Sequence, residues 1–365
     1  MKQTKKIPLD LGKNSYDIFI GEEIIDQVGL FLKDLSFKGR VAVVTDPKVE
    51  GLYGSRVKKS LKKAGFKFIL IQIPAGERYK TLKQINRIYD SLIQNHFERS
   101  DLLLALGGGV IGDMTGFAAA TYLRGVSFVQ CPTTVLAQVD ASIGGKTGVD
   151  HPEGKNLIGA FHQPRFVCSD PAVLRTLQKR EYRSGLAEVV KYGVIADEAF
   201  FGYLETHSKA IRDLDLEKVR HCIHRASQIK AEIVQADEHE GGIRKILNYG
   251  HTIGHAVETL TGYRKVKHGE GVAMGMVAAS RLAVELGLLH EDDVKRQVKL
   301  LTAFGLPTRL PDLDPGDILE VMAGDKKVVG GEIYFVLPKN IGSVDVMKVD
   351  KKVLKRFLKA LPKYV

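Results

Sequence analysis

The sequence predicts an α/β domain with a mainly parallel sheet, followed by a mainly α-helical domain. Two observations support this fold class. Short apolar runs alternate with helical patterns in the first half of the chain, and long helical patterns dominate after about residue 170. The length of 365 residues agrees, because one domain usually holds about 100–200 residues. We therefore expect domains at residues 1–175 and 176–365.

Four short runs in the first half are predicted strands, because they are rich in β-branched or apolar residues and stop at proline or glycine. They are Arg40–Thr45, Phe68–Ile73, Leu102–Leu106 and Ser127–Cys131. Helical patterns at Tyr79–Asn95 and Asp113–Thr121 lie between them. Strands that are separated by helices form βαβ units, which predicts a mainly parallel sheet.

The second half is predicted to be helical. Five long segments have apolar residues at helical spacing, a further amphipathic helix is expected at Lys348–Lys363, and only Glu332–Leu337 has the pattern of a strand. The five segments are Lys179–Ile195, Leu216–Ala236, Ile246–Leu260, Gly271–Leu286 and Glu291–Phe304. This change of pattern indicates a domain boundary near residues 170–178.

The composition is that of a globular protein. Apolar residues make up 44% and charged residues 27% of the chain, which excludes a disordered or collagenous protein. No apolar run approaches the ~18 residues of a membrane-spanning helix, and residues 1–10 lack the apolar core of a signal peptide. Three cysteines, odd in number and far apart, do not indicate a disulfide framework, so we expect the reducing environment of the cytoplasm.

The chain is basic, with 54 Lys and Arg residues against 43 Asp and Glu residues and a formal net charge of +11. Such an excess suits nucleic acid, a membrane surface or a polyanionic metabolite, although a solvated basic surface would also explain it. No nucleic-acid-binding motif is present. The missing motif argues against nucleic acid, and the absence of a membrane-spanning run argues against a membrane, whereas a small polyanionic metabolite and a solvated basic surface both stay open.

A glycine cluster follows the third predicted strand, in the segment LLLALGGGVIGD (102–113). Gly107, Gly109 and Gly112 match G-x-G-x-x-G, a pattern that lets the backbone approach a pyrophosphate at a helix N-terminus. The match does not follow the first strand, and a tight strand-to-helix turn would explain it equally well. Asp46, at the end of the first predicted strand, is a candidate ribose ligand or a turn residue before Pro47.

The glycine-rich segment GGKTGVDHPEGKN (144–156) contains Lys146, Lys155 and Asn156. Its first residues are similar to the end of a Walker A loop, but Asp140 stands where that motif needs glycine. Two lysines and an amide on a flexible backbone suit a phosphate or a carboxylate. Two exposed lysines in a loop are the alternative.

The segment RKILNYGHTIGH (244–255) concentrates polar residues on one side of a predicted helix. At 100° per residue, four polar side chains fall within roughly 60° of one another, where a core helix would be apolar. They are Arg244, Asn248, His251 and His255. Gly250 and Gly254 would let a ligand come close. His251 and His255 have the i, i+4 spacing of a metal site.

Glu188 and Lys191 lie on an otherwise apolar predicted helix, LAEVVKYGVI. A buried carboxylate needs a partner, and Lys191 is one candidate. A metal ion shared with two histidines is the other, and His268 begins a further predicted helix. Two histidines and one carboxylate with an open coordination position describe a catalytic zinc site.

Seven segments, taken in order, form a more specific pattern than any single motif. They are PAGERYKT (74–81), LGGGVIGDMTGFAAATYLRG (106–125), PTTVLAQVDASIGGKTGVDHPEGKNLIGAFHQP (132–164), REYRSGLAEVVKYG (180–193), NYGHTIGHAVE (248–258), HGEGVAMGM (268–276) and DKK (325–327). With them the chain resembles the 3-dehydroquinate synthases, a family of sugar-phosphate cyclases, along nearly its whole length. Ala141 and Ile143 are conservative departures from the family pattern.

This resemblance implies a nucleotide-binding α/β domain, a helical domain and a phosphorus–oxygen lyase that uses NAD and one divalent metal ion, zinc or cobalt. The enzyme would convert 3-deoxy-D-arabino-heptulosonate 7-phosphate to 3-dehydroquinate and phosphate. It would do so by oxidation, phosphate elimination, reduction, ring opening and an intramolecular aldol step. This is a reaction of the shikimate pathway, which leads to chorismate and the aromatic amino acids.

The resemblance also implies roles for individual residues. The metal ligands would be Glu188, His251 and His268, which leaves His255 to the substrate. Arg124 would reach the substrate across a homodimer interface. NAD would contact Asp46, Ala75, Gly76, Glu77, Arg78, Tyr79, Lys80, Gly109, Val110, Ile111, Gly112, Asp113, Thr133, Thr134, Lys146, Lys155, Val173, Leu174, Arg175 and Thr176. The substrate would contact Arg124, Asp140, Lys146, Asn156, Lys191, Lys230, Arg244, Asn248, His255 and Lys327.

Two related activities are alternatives. A 2-deoxy-scyllo-inosose synthase would share the fold and the metal ligands, but its substrate has no carboxylate, whereas Arg244 and Lys327 favour one. An iron-type polyol dehydrogenase would release reduced cofactor and should lack the cationic residues Lys146, Lys155 and Arg244.

Overall fold

The computed structural model describes residues 4–263, 265–324, 328–329 and 332–361, and the chain divides into two compact units. Unit 1 comprises the described residues up to Leu177 together with Lys230–His239. Unit 2 comprises Gln178–Ile229 and the described residues from Glu240 onward. Lys327, a predicted substrate contact, lies outside the described residues.

Unit 1 is built on a seven-stranded sheet with the order β1-β2-β9-β6-β5-β3-β4. Its strands and those of a separate hairpin, β7–β8, are β1 (Lys5–Leu9), β2 (Tyr16–Ile20), β3 (Val41–Thr45), β4 (Phe68–Gln72), β5 (Leu102–Gly107), β6 (Ser127–Pro132), β7 (Lys146–His151), β8 (Gly154–Phe161) and β9 (Phe166–Ser169). The pair β1–β2 is antiparallel and the other pairs of the sheet are parallel. The four predicted strands are present as β3 to β6, and the predicted α/β class is confirmed.

Helices cover both faces of this sheet. They are α1 (Val28–Asp34), α2 (Pro47–Val49), α3 (Ser55–Ala64), α4 (Leu82–Gln94) and α5 (Gly109–Thr121). Val41 and Val43 of β3 pack with α1 and α3, whereas Ala42 and Val44 pack with α4 and α5. Every residue of β3 is therefore buried, which explains why its sequence is a continuous apolar run rather than an alternating one.

The order of the strands creates a switch point between β3 and β5. From β3 the chain passes to β4 on one side, and it then returns to β5 on the other side. In open α/β sheets, ligands bind at the carboxyl ends of strands where the order reverses in this way. The loops that follow β3, β4, β5, β6 and β9 all lie at that edge, because these strands are parallel.

Unit 2 is mainly helical, as predicted, but it also contains an antiparallel sheet. Its helices are α6 (Lys179–Ala196), α7 (Glu198–Thr206), α8 (Ser208–Arg212), α9 (Leu216–Ala236, shared with unit 1 from Lys230), α10 (His251–Leu260), α11 (His268–Glu285), α12 (Glu291–Ala303), α13 (Pro315–Gly324) and α14 (Lys351–Ala360). Its strands are β10 (Val328–Val329), β11 (Glu332–Asn340) and β12 (Ser343–Val349). The prediction of a single late strand was therefore wrong. Strand β12 was missed because its residues do not alternate regularly between exposed and covered positions. Among the described residues, none of the helices combines the length and apolar character that a membrane crossing requires.

The expectation of one helix across Ile246–Leu260 was also wrong. Ile243–Asn248 forms a 3₁₀-helix, and α10 begins only at His251. Gly250 between them has a φ of +79°, a left-handed conformation that ends one helix and precedes the next. Arg244 and Asn248 therefore do not share a helix face with the two histidines.

Candidate active site

The predicted cofactor residues of the sheet lie at one edge of unit 1. Asp46 follows β3, residues 75–80 follow β4, Gly109–Asp113 follow β5, Thr133 and Thr134 follow β6, and residues 173–176 follow β9. Parallel strands thus bring together five segments that are far apart in the sequence. The segments after β3 and β5 border the switch point, and the other three lie along the same edge of the sheet.

The glycine turn after β5 suits an approaching phosphate. A Cβ atom at Gly108 would lie 3.1 Å from the Thr134 side chain, and one at Gly109 would lie 3.2 Å from Cβ of Ala141. In the described structure, no side chain caps the N-terminus of α5. Its first backbone N–H groups and the positive end of its dipole are therefore available to an anion. The turn fits the pyrophosphate of a dinucleotide.

Asp46 has a structural role at the end of β3. Its Oδ1 accepts hydrogen bonds from the backbone N–H groups of Lys48 (2.9 Å) and Val49 (3.1 Å), and Pro47 occupies the first position of α2. This is the turn residue that the sequence offered as the alternative to a ribose ligand. The capping bonds fix the carboxylate at the carboxyl end of β3.

Tyr53 fixes the segment after β9, and no pattern in the sequence pointed to it. Its hydroxyl donates to the carbonyl of Val173 at 2.7 Å and lies 2.5 Å from Oγ1 of Thr176. Val173 and Leu174 are buried, whereas Arg175 and Thr176 are exposed. Only the second pair can contact a ligand through side chains without a rearrangement.

Lys80 links a cofactor segment to a predicted substrate residue within unit 1. Its buried ammonium lies 2.6 Å from Oδ2 of Asp113 and 2.5 Å from Oδ1 of Asn156. Burial raises the pKa of Asp113, and the charge of Lys80 opposes that effect. Oδ1 of Asn156 accepts from Lys80, so a hydrogen bond that the side chain of Asn156 donates must come from Nδ2. Asn156 also has a φ of +54°, which is uncommon for a residue other than glycine.

The predicted flexible glycine loop with Lys146 and Lys155 is instead the β7–β8 hairpin. Gly148 and Gly159 pair across it, and a Cβ atom on either would lie within 2.4 Å of the opposite strand's backbone. The glycines therefore permit close strand pairing. Lys146 pairs with Phe161 at the open end, whereas Lys155 lies next to the turn, with its ammonium 3.5 Å from Oε1 of Glu77. The two lysines thus belong to opposite ends of the hairpin.

Two further substrate candidates of unit 1 meet near the turn Ala137–Ala141. Lys230, on the part of α9 that belongs to unit 1, donates to the carbonyl of Asp140 at 2.7 Å and also to its Oδ1. A third candidate, Arg124, is exposed. Leu123 has a φ of +49° and Arg124 has a φ of +65°. Two successive non-glycine residues in the left-handed region store backbone strain, a feature that is frequent at functional sites.

Three predicted metal ligands come together in unit 2. Glu188 lies on α6, His251 is the first residue of α10, and His268 is the first residue of α11. Nε2 of His251 lies 3.5 Å and Nε2 of His268 lies 3.4 Å from Oε1 of the fully buried Glu188. All three donor atoms lie within 4.8 Å of one another, a spacing that could hold a metal ion.

Glycines allow the three helices to approach so closely. A Cβ atom at Gly269 would lie 1.8 Å from the carbonyl oxygen of Ser184 on α6. A Cβ atom at Gly275 would lie 1.9 Å from the carbonyl oxygen of Gly250, before α10. Helix α11 therefore packs backbone to backbone against its neighbours, and this contact sets the separation of the donor atoms.

Both histidines are oriented through Nδ1. His251 Nδ1 lies 3.0 Å from the carbonyl oxygen of Tyr249, and His268 Nδ1 lies 2.9 Å from Oε1 of Glu258. With Nδ1 bonded to an acceptor, Nε2 of each ring faces Glu188, as in metal sites with an ordered outer shell. Burial lowers the pKa of His268, but Glu188 and Glu258 raise it to about 10. The two carboxylates therefore favour a positive charge at this position. A divalent ion bound by two nitrogens and one oxygen would provide that charge.

Of the remaining predicted residues of unit 2, Lys191 and His255 lie beside this group. The buried ammonium of Lys191 contacts Oε2 of Glu188, so that the carboxylate has the lysine on one oxygen and the histidines on the other. Arg244 is fully buried, and Asn248 donates from Nδ2 to Oε1 of Glu240 at 3.0 Å. Glu240 was not predicted, since no periodicity distinguishes it in its polar segment. The ring centroid of His255 lies 5.3 Å from that of His251.

A second group of possible metal ligands overlaps the first. His255, Glu258 and His268 also have one donor atom each within 4.8 Å of one another. In this group, however, Nδ1 of His268 and Oε1 of Glu258 are already bonded to each other.

Comparison with known proteins places this geometry in a class. The structure matches 2-epi-5-epi-valiolone synthase from Streptomyces hygroscopicus subsp. jinggangensis, solved with NAD⁺ and Zn²⁺, with a TM-score of 0.89, 29% identity and coverage of 98% of this chain and 99% of that chain. It also matches 2-deoxy-scyllo-inosose synthase, solved with carbaglucose-6-phosphate, NAD⁺ and Co²⁺, with a TM-score of 0.84, 26% identity and the same coverage. The fold is that of the sugar-phosphate cyclases.

Sequence comparison is more specific. The family model for the 3-dehydroquinate synthase N-terminal part matches residues 70–184, and the model for the C-terminal part matches residues 185–328. The 3-dehydroquinate synthase of Desulforamulus reducens is 51% identical over 343 residues, which are 94% of this chain and 96% of that protein. The chain belongs to the 3-dehydroquinate synthase family. The predicted enzyme class and the predicted activity of 3-dehydroquinate synthesis are thereby confirmed.

Proposed function

We propose that the residues described above carry out 3-dehydroquinate synthesis with NAD held by unit 1 and a divalent metal ion held by unit 2. The observation that carries this proposal is the set of Glu188, His251 and His268, with both imidazoles turned by an acceptor on Nδ1. Two imidazole nitrogens that face one carboxylate oxygen match the two-histidine, one-carboxylate ligand set of a catalytic metal ion.

The cofactors provide the reactive chemistry, and the chain orients it. When bound, NAD accepts a hydride from the substrate and later returns it, and zinc or cobalt supplies Lewis-acid polarisation of a substrate oxygen. Glu188, His251 and His268 would hold the metal. The N-terminus of α5, together with Asp46, Thr133 and the segments after β4 and β9, would hold the dinucleotide. The use of these two cofactors by the related cyclases supports this assignment.

The substrate, 3-deoxy-D-arabino-heptulosonate 7-phosphate, carries a carboxylate and a phosphate that the chain must neutralise. Arginine offers a planar pair of donors that suits a carboxylate, and Arg244 is the buried arginine of the site. Lys146 and Lys230 are the lysines proposed for the phosphate, and Asn156 and Asn248 would donate amide hydrogen bonds. This cationic set supports a phosphorylated sugar acid over the uncharged polyol of a dehydrogenase.

Protons must move at several steps, and three groups are proposed to relay them. His255 lies beside the metal histidines, Lys191 contacts the buried Glu188, and Lys230 contacts Asp140. Lys191 and Lys230 each lie against a carboxylate that stabilises the ammonium, and a ring nitrogen of His255 lies within 4.8 Å of a carboxylate oxygen of Glu258. The leaving phosphate is itself basic, so no single side chain needs to act as the base throughout.

Two further properties are part of the proposal. A homodimer would place the exposed Arg124 against the partner copy's substrate, and its strained backbone supports a role outside the packing of its own chain. A reducing compartment such as the cytoplasm suits Cys131, Cys168 and Cys222, which are buried free thiols.

Phosphate release from the heptulosonate phosphate tests the proposed function. We expect release by the metal-loaded chain with NAD⁺ and none when either NAD⁺ or the metal is omitted. Glucose 6-phosphate, which has no carboxylate, is the matched control, because its carba analogue is bound in the structure of 2-deoxy-scyllo-inosose synthase. Release from glucose 6-phosphate alone would contradict the proposal.

A further inference from the structure

We propose that Glu258 is a positioning residue of the metal centre, which holds the imidazole of His268 with Nε2 toward Glu188. The inference rests on the proposed function, because it concerns the ligands assigned there. It assigns to Glu258 a role through His268 rather than a contact with the metal or the substrate.

The first observation is the geometry of the bond. Oε1 of Glu258 lies 2.9 Å from Nδ1 of His268, and the glutamate is only 2% exposed. Glu258 stands seven residues after His251 on α10, so both side chains lie on nearly the same face of that helix. The helix that provides one metal ligand thus also orients the second.

The second observation is the space that the fold leaves for this carboxylate. A Cβ atom at Gly271 of α11 would lie 3.2 Å from Cγ and 3.3 Å from Oε1 of Glu258. Gly271 lies about one turn after His268 on α11. Because it has no side chain, it leaves the space that the Glu258 side chain occupies. Burying a carboxylate here is costly unless it is bonded, and His268 is the bonded partner that the structure provides.

The two ligand histidines differ in what orients them. Nδ1 of His251 faces a backbone carbonyl, that of Tyr249, which no side-chain substitution removes. Nδ1 of His268 faces a side chain. A carboxylate on Nδ1 fixes the tautomer and makes Nε2 a stronger ligand, and loss of such a group typically weakens metal binding 10–100-fold. Metal affinity should therefore depend on residue 258.

The test compares Glu258→Ala and Glu258→Gln with the wild-type chain and with Glu285→Gln, a matched control. Glu285 lies on α11 and pairs with Arg356 at the surface, outside the proposed site. Cobalt affinity is measured by competition with a chelator, the visible absorption of bound Co²⁺ reports coordination, and circular dichroism reports folding. We expect a 10–100-fold rise in the Kd of Co²⁺ for Glu258→Ala. A smaller rise is expected for Glu258→Gln, because its amide oxygen can still accept from Nδ1. No change is expected for Glu285→Gln.

Two results would overturn the inference. A folded Glu258→Ala variant that binds Co²⁺ within twofold of the wild type would show that Glu258 does not position a ligand. If Glu258→Ala fails to fold, Glu258→Leu fills the same space without an acceptor for Nδ1, and an unchanged Co²⁺ affinity in that folded variant leads to the same conclusion.

His251→Ala separates this failure from failure of the metal site. Loss of Co²⁺ in His251→Ala with none in the Glu258 variants rejects only the positioning role. An unchanged Co²⁺ spectrum in His251→Ala places the metal among His255, Glu258 and His268 and rejects both proposals.

Discussion

Nε2 of His268 lies 3.4 Å from Oε1 of Glu188, although the two residues belong to different helices, α11 and α6. His251 approaches the same oxygen atom from a third helix, α10, at 3.5 Å. One carboxylate oxygen therefore faces two imidazole nitrogens. The other oxygen contacts Lys191.

Removal of one imidazole should remove the metal. We expect His251→Ala to lose at least 100-fold in affinity for Zn²⁺ or Co²⁺, because the site would keep only two of its three protein ligands. The metal content of the purified variant, measured by atomic emission, checks this result. Circular dichroism should show an unchanged fold. A variant with a full equivalent of metal would show that the ligand assignment is wrong.

The close approach of α11 to α6 should be intolerant of a single methyl group. Gly269→Ala would place Cβ 1.8 Å from the carbonyl oxygen of Ser184, so the helices must move apart. We expect a loss of about 1–3 kcal/mol in the free energy of unfolding, together with weaker metal binding. Urea unfolding and chelator competition measure the two effects.

Gly202→Ala is the matched control for this glycine. A Cβ atom at Gly202 on α7 would meet no atom within 4 Å, and alanine favours a helix by about 0.5–1 kcal/mol. This variant should therefore be as stable as the wild type or slightly more stable, with normal metal affinity. Equal behaviour of the two variants would mean that glycine packing does not set the metal site.

Lys80 should support the stability of unit 1 through its ion pair. Lys80→Met leaves the carboxylate of Asp113, whose side chain is only 20% exposed, without its cation, and loss of one partner of a buried pair costs about 3 kcal/mol. The double variant Lys80→Met/Asp113→Asn removes both charges and should recover part of that loss. Urea unfolding of the wild type, the two single variants and the double variant forms a double-mutant cycle. Additive losses would contradict a coupled pair.

Anion recognition should depend on a particular lysine rather than on the net charge of +11. We expect Lys146→Met to cost at least about 2 kcal/mol in kcat/KM, roughly 30-fold, because a bound phosphate would lose its charged partner. Lys359→Met removes an exposed lysine of α14 and should leave kcat/KM unchanged. The same loss in both variants would indicate that bulk charge attracts the substrate.

The sequence predicted the parts of the fold that local patterns encode. Strands β3 and β5 are buried apolar runs, β4 and β6 are largely apolar, and residues 186–195 are apolar apart from Glu188 and Lys191, so these elements were found. The start of α10 was missed because it depends on the left-handed conformation of one residue, Gly250. Conformation at a single glycine leaves no periodic signal.

Contacts between distant segments were beyond the sequence for a different reason. Tyr53, Glu240 and Glu258 each act through a partner that only the folded chain brings near. The sequence also could not show that Lys230–His239 belongs to unit 1. The last two turns of α9 belong to the first unit, yet no change of composition separates them from the rest of that helix. For the metal ligands, helical spacing paired His251 with His255 and left His268 as a further candidate, and the family pattern was needed to choose His268 over His255.

In the proposed cycle, bound NAD⁺ would take a hydride from the substrate, and the resulting NADH would return it to the reaction intermediate before product is released. The most direct test is to follow phosphate release and absorbance of reduced nicotinamide together, with NAD⁺ present in catalytic rather than stoichiometric amount. A cyclase should release many equivalents of phosphate per NAD⁺ with no steady rise in NADH. One NADH accumulated for each turnover would contradict the proposed cycle and indicate a polyol dehydrogenase.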